Sequence, residues 1–161
     1  MIIRLARRTC NCAASRTASC CWSTYRSPTA ARGVPVVDGF VQSGVSELDA
    51  VLGGGLNWGT TSLFVGPAGV GKTTVAAQYL CGAANPAAKA AVFLFDERLR
   101  TFVARCDALG MRASERIASG HLIPQQVAPG VTSPGEFSHR VRRLVEEEEG
   151  VRLVGIDTLN G

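Results

Sequence analysis

Thr61-Ser62-Leu63-Phe64-Val65-Gly66-Pro67-Ala68-Gly69-Val70-Gly71-Lys72-Thr73-Thr74 decides how the rest of the chain is read. Its first five residues have the length and apolar character of a strand. A turn with Gly66, Gly69 and Gly71 follows, and the next run, from Lys72 to about Ala84, has helical spacing. Val75, Tyr79 and Leu80 share one face of it, and Asn85-Pro86 stops it. The pattern is G-x4-G-K-[ST]. A glycine-rich turn between strand and helix aims successive backbone N–H groups inward and brings the main chain close to an anion. The helix that follows adds its N-terminal amides and dipole. Lys72 supplies a mobile ammonium group for the outer phosphates, and the Thr73 hydroxyl is a magnesium ligand. Average residue usage gives a chance match in roughly one chain in a hundred of this length, and the strand–turn–helix context lowers that further. Residues 66–74 (Gly66, Pro67, Ala68, Gly69, Val70, Gly71, Lys72, Thr73 and Thr74) are therefore expected to bind a nucleoside triphosphate, ATP with Mg2+.

Two further acidic positions complete such a site. Leu153-Val154-Gly155-Ile156-Asp157 is a run of apolar or small residues ending in a carboxylate. Asp157 is the expected second magnesium ligand, since phosphoryl transfer needs an acid at the end of a neighbouring buried strand. Asp96-Glu97 follows the apolar run 90–95. The carboxyl edge of a parallel sheet is where ligands bind, and one of these acids could orient or deprotonate the attacking water. The residues alone do not say which. Arg98 and Arg100 also allow both acids to be solvated charges that open the next helix.

Between these positions strands and helices alternate. Residues 46–52 read as a short helix with Ser46 as N-cap and acids in its first turn. Leu99, Phe102, Val103, Cys106 and Leu109 lie at helical spacing, with Gly110 as the stop. Residues 122–127 read as a strand that Pro124 confines to an edge. Ser133-Pro134-Gly135-Glu136 opens another helix as a capping box with Pro at its first position, and Phe137, Val141, Leu144 and Val145 form its apolar stripe. Glu146 to Glu149 close it with the wrong sign for its dipole. Repeated β-α-β units predict an α/β fold, a mostly parallel sheet flanked by helices.

The net charge of +4 divides unevenly. Residues 1–37 hold six Arg and no acid, whereas residues 38–161 hold eleven basic residues against thirteen acidic ones. The folded part is mildly acidic and has no basic, aromatic-laced stripe, which argues against nucleic acid as a partner and against a DNA recombinase. Residues 1–37 read as a basic, Cys-rich, structureless tail, with a transit-peptide-like composition as the competing reading, and residues 38–161 as the folded domain. Cys10, Cys12, Cys20 and Cys21 lack the spacing of a zinc pair. Cys81 and Cys106 fall on helices and read as small buried apolar residues. Nothing indicates a disulfide scaffold, so a cytoplasmic setting is expected, and no apolar run approaches the roughly 18 residues of a membrane span.

Taken together, Ser43-Gly44-Val45, Leu48-Asp49, Leu52-Gly53-Gly54-Gly55-Leu56, the glycine-rich loop, Phe95-Asp96-Glu97 and Ile156-Asp157-Thr158-Leu159-Asn160-Gly161 resemble the KaiC-like branch of the RecA superfamily of P-loop ATPases over about residues 40–161. Ser133-Pro134-Gly135-Glu136-Phe137 with His139-Arg140-Val141-Arg142 is similar to that branch too. The resemblance implies a RecA-like core, homo-oligomeric rings with ATP between subunits, Lys72 and Thr73 as the Walker A pair, Asp157 as the Walker B aspartate and Asp96-Glu97 as the catalytic acids. Members often carry two glutamates there, and Asp96 shortens the first. RecA-like cores continue well past the strand ending in Asp157, whereas four residues follow it here, so the domain is expected to be incomplete at its C-terminus. The expected activity is hydrolysis of ATP to ADP and phosphate. The alternative is an ATP-gated interaction module that signals to an unknown protein partner with little or no turnover.

Overall fold

The computed structural model describes residues 2–5, 39–128 and 130–157. Its centre is strand β5 (Lys89–Leu94), whose residues 90–94 are fully buried. Alternate side chains serve opposite layers: Ala90, Val92 and Leu94 join one hydrophobic cluster, and Ala91 and Phe93 the other. That two-sided burial explains a continuous apolar run in place of an alternating one. β6 (Leu122–Gln126) and β7 (Val151–Asp157) flank β5, both parallel to it. β6 is an edge strand of the sheet, so Pro124 is accommodated there opposite Val92.

The remaining strands depart from a uniformly parallel sheet. β1 (Ile2–Leu5) lies between β7 and β4 (Thr61–Leu63) and runs antiparallel to both. Residues 2–5, expected to be part of a structureless tail, thus form a strand. Residues 6–38, with the remainder of that expected tail, lie outside the described residues. β4 ends at Leu63, two residues short of the strand expected from the sequence. A separate two-stranded ribbon joins β2 (Phe40–Val41) to β3 (Leu56–Asn57).

Helices cover both faces of the sheet. α2 (Lys72–Ala83), α3 (Leu99–Ala108) and α4 (Ala113–Ala118) contribute to the larger cluster through Ala76, Ala77, Leu80, Phe102, Cys106 and Ala113. Cys81 and Cys106 are buried free thiols, as read. α4 has no counterpart in the sequence reading; it is short and carries a single fully buried residue. On the opposite face, Phe137, Val141, Leu144 and Val145 of α5 (Pro134–Glu147) pack over β5. The Phe137 ring meets Phe93 and Phe95 edge-on, with centroids 5.3 and 5.0 Å away. Ser133 caps α5 by accepting the Glu136 N–H at 3.2 Å. The acidic end is offset by pairs one turn back: Arg142 and Arg143 reach Glu146 and Glu147 at 2.8 Å.

α1 (Ser46–Val51) corrects one expectation, since its N-cap is Val45 and not Ser46. The Ser43 hydroxyl accepts the Val45 N–H at 3.0 Å, and the Ser46 hydroxyl turns to Glu47. Asp49, expected as a first-turn acid, is buried and organises this region. Its carboxylate accepts the Ser43 N–H at 2.9 and 3.1 Å and the Tyr79 hydroxyl at 3.1 Å. Gln78 donates to the Ser43 carbonyl at 2.9 Å, so the segment before α1 is clamped to α2. Burial pushes the Tyr79 phenol up to about 12, with help from the hydrogen bond and charge of Asp49. Burial also raises Asp49, but the bonds from Ser43 and Tyr79 outweigh it and hold the carboxyl below its ordinary range. A lowered native pKa stabilises the fold above the ordinary carboxylate range and ceases to do so as pH falls through the native value. Asp49→Asn should therefore flatten the acid limb of the melting temperature in a pH series followed by circular dichroism. Tyr79→Phe should cost about 1 kcal/mol, the typical value of one hydrogen bond, in urea unfolding.

Candidate functional site

The carboxyl ends of β4, β5 and β7 bring the sequence-predicted residues to one rim. Leu94 of β5 is in register with Asp157 of β7. One residue on, the Phe95 N–H donates to the Asp157 carbonyl at 2.8 Å. The chain therefore leaves the sheet at Asp96 and Glu97 directly beside Asp157. The glycine-rich loop leaves β4 at the same rim and delivers Thr73 to the first turn of α2.

Within the loop, Gly69 and Gly71 have φ of 83° and 88°, in the left-handed region that disfavours side chains. No atom lies within 4 Å of where their Cβ would stand, so it is backbone conformation and not crowding that favours glycine there. Gly71 is also the N-cap of α2, whose first amides have no intrahelical partner and face the loop. Lys72 folds back over this turn, its Nζ donating to the carbonyls of Gly66 at 2.9 Å and Pro67 at 2.7 Å. The ammonium group is thus held at the loop's mouth by acceptors that a phosphate oxygen could replace.

Thr73 and Asp157, 84 positions apart, touch: the Thr73 hydroxyl donates to Asp157 Oδ1 at 3.1 Å. Asp157 is buried, so this carboxylate is fixed in place. Both border a cleft of about 460 Å³, together with Asp96, Glu97, Thr101 and Arg105. Asp96 is exposed and Glu97 half-buried. Burial pushes the Glu97 carboxyl above its ordinary range, the Arg105 guanidinium opposes this, and the Asp157 charge pushes it higher again. Of the sequence-predicted residues, Thr73, Asp96, Glu97 and Asp157 share the cleft. Gly66, Pro67, Ala68, Gly69, Val70, Gly71 and Lys72 form the adjoining turn, and Thr74 sits half-buried on the first turn of α2. Thr101 and Arg105 were missed. Their four-residue spacing puts them on one face of α3, and a polar pair on that face was the available signal.

A family model described as the KaiC ATPase matches residues 41–160. The chain belongs to the KaiC ATPase family. Nucleotide binding and ATPase activity are properties of this family, and its members form oligomeric rings. The match runs from the last residue of β2 through β3, the glycine-rich loop and all three acidic positions, so the family assignment and the rim of converging residues concern the same part of the molecule. A comparison with curated proteins finds no match.

The KaiC-type chemistry implies magnesium, and the rim suits it. Among the described residues no three His, Cys, Asp or Glu side chains gather as a protein-only metal site. Magnesium does not need one: it is commonly bound by one or two protein oxygens, with phosphate oxygens and water completing an octahedron. The touching Thr73 hydroxyl and Asp157 carboxylate offer two oxygens of the kind such an ion takes. No helix among the described residues is long and apolar enough to cross a membrane.

Proposed function

We propose that this chain binds ATP with magnesium at residues 66–74 and hydrolyses it to ADP and phosphate, with Glu97 as the general base. The observation that carries the reading is the contact between Thr73 and Asp157 beside the cleft that Glu97 lines. The loop amides and the α2 N-terminus would hold the β- and γ-phosphates, and Lys72 would exchange its two loop carbonyls for phosphate oxygens. Magnesium, when bound, would neutralise phosphate charge, held by Thr73 and Asp157. Glu97 would take a proton from water as the water oxygen bonds to the γ-phosphorus and the bond to the ADP oxygen breaks. A half-buried carboxylate, whose proton affinity burial raises, is a stronger base than one surrounded by water, which favours Glu97 over exposed Asp96.

The test combines calorimetry with phosphate release. Binding of ATP should require magnesium and disappear with EDTA. Glu97→Gln should lower phosphate release by about 10²- to 10⁴-fold, the usual contribution of a general base, while ATP affinity stays within a few-fold. Asp96→Asn should lose much less. A folded protein showing no magnesium-dependent heat with ATP would refute the binding site, and equal losses in the two variants would refute the choice of Glu97. Assembly with further copies of the chain, as in the family, belongs to the same proposal, and mass photometry with and without ATP tests it.

A further inference from the structure

Arg105 is a charged residue of the cleft to which the chemistry above gives no task. Its Nη2 donates to Glu97 Oε2 at 2.8 Å, across one and a half turns of α3 and the residues before it. The guanidinium carbon lies 5.8 Å from the centre of the Phe102 ring, and Phe102 is itself fully buried in the core. The arginine head is therefore steadied from below by a ring packed in the core. Its Nε is buried and has no acceptor, so the side chain keeps this pose without satisfying its full hydrogen-bonding capacity. The Glu97 side chain, by contrast, lies beyond the last residue of β5 and before the first of α3, on backbone that neither element fixes. The other charges around it are Asp157 across the cleft and Asp96 and Arg98 on either side in sequence. Among the described residues, Arg105 is the cation that grips it.

We propose that Arg105 is a positioning residue: by holding Oε2 it fixes the Glu97 carboxylate toward the cleft and leaves Oε1 to receive the proton of the attacking water. This rests on the reading of Glu97 as base. The pair is partly buried, its side chains 34% and 22% exposed, so water still screens it, its contribution to folding is modest, and it matters here through orientation. A displacement of about 1 Å at a reacting group can cost on the order of a hundredfold in rate, and an untethered glutamate has several rotamers with which to reach it.

The experiment uses the whole chain and three variants, Arg105→Met, Arg105→Lys and Glu97→Gln, with phosphate release, ATP affinity by calorimetry and melting temperature for each. Arg105→Met should lower kcat about 10- to 100-fold, with KM and ATP affinity within about threefold and the melting temperature almost unchanged. Arg105→Lys should recover much of the loss, because a single donor at this place suffices to hold one carboxylate oxygen. An unchanged or raised kcat in Arg105→Met, with Glu97→Gln inactive, would overturn the positioning role and leave the base assignment standing. Equal losses in the Met and Lys variants, accompanied by a fall in melting temperature, would overturn it in favour of a structural role. Full turnover in Glu97→Gln, or no turnover in the unaltered chain, would remove the base assignment and this inference with it.

Discussion

Lys72→Ala should weaken magnesium–ATP binding by about a hundredfold while leaving the protein folded. In this structure the Lys72 ammonium donates to two loop carbonyls, those of Gly66 and Pro67. Both bonds are at the surface, so water replaces the donor when the side chain is cut back, and the fold loses little. The phosphates have no such substitute. A hydrogen bond to a charged group is worth roughly 1.5–3 kcal/mol, and the ammonium can reach two phosphate oxygens. A loss of about 3 kcal/mol corresponds to a factor of about 100 in Kd. Calorimetry on a variant with unchanged circular dichroism is the measurement. Affinity within threefold of the unaltered protein would mean that the loop does not hold the triphosphate.

Gly82→Ala should destabilise the fold by about 2–3 kcal/mol, within the usual range for overpacking, although the same change inside an ordinary helix stabilises by up to about 1 kcal/mol. Gly82 lies on α2 where the helix meets the segment before α1. A Cβ there would collide with the Ser43 carbonyl oxygen, stand 2.7 Å from the Ser43 carbonyl carbon and 3.1 Å from the Gln42 oxygen. The obstructing atoms are backbone, and that backbone is clamped by Asp49 and Gln78, so it cannot step aside without breaking those bonds. Urea unfolding should show a lower midpoint with an unchanged slope, the mark of a change in stability alone. A variant as stable as the parent would mean that residues 42–43 can move freely.

These two cases also mark what the sequence could reveal. The role expected of Lys72 follows from local spacing, and so do the strand–turn–helix around it, the buried strand before Asp96 and the capped start of α5. In each the decisive partners are neighbours in the chain. The close approach of Gly82 to Ser43 depends on residues 39 positions apart, and no local pattern encodes it. The same holds for Asp49. An acid after a serine reads as a first-turn charge, and only the fold shows Tyr79 and the Ser43 amide turning it into a buried acceptor. In the cleft, Asp157, Asp96 and Glu97 were legible because each ends an apolar run of strand length. Arg105 was not, because its partner Glu97 lies eight residues away, before α3 begins and across a change of backbone direction. The antiparallel entry of β1 was illegible for another reason: four residues within a basic segment carry too little pattern to identify a strand.

The direction of β1 has a practical outcome for anyone preparing this protein. Because β1 runs against both neighbours, Ile2 stands opposite Leu63 and Ile156, at the end of the sheet from which the glycine-rich loop departs and at which Asp157 lies. An affinity handle joined directly to Ile2 would start at the mouth where nucleotide is to be measured. Binding and turnover should therefore be compared before and after its proteolytic removal.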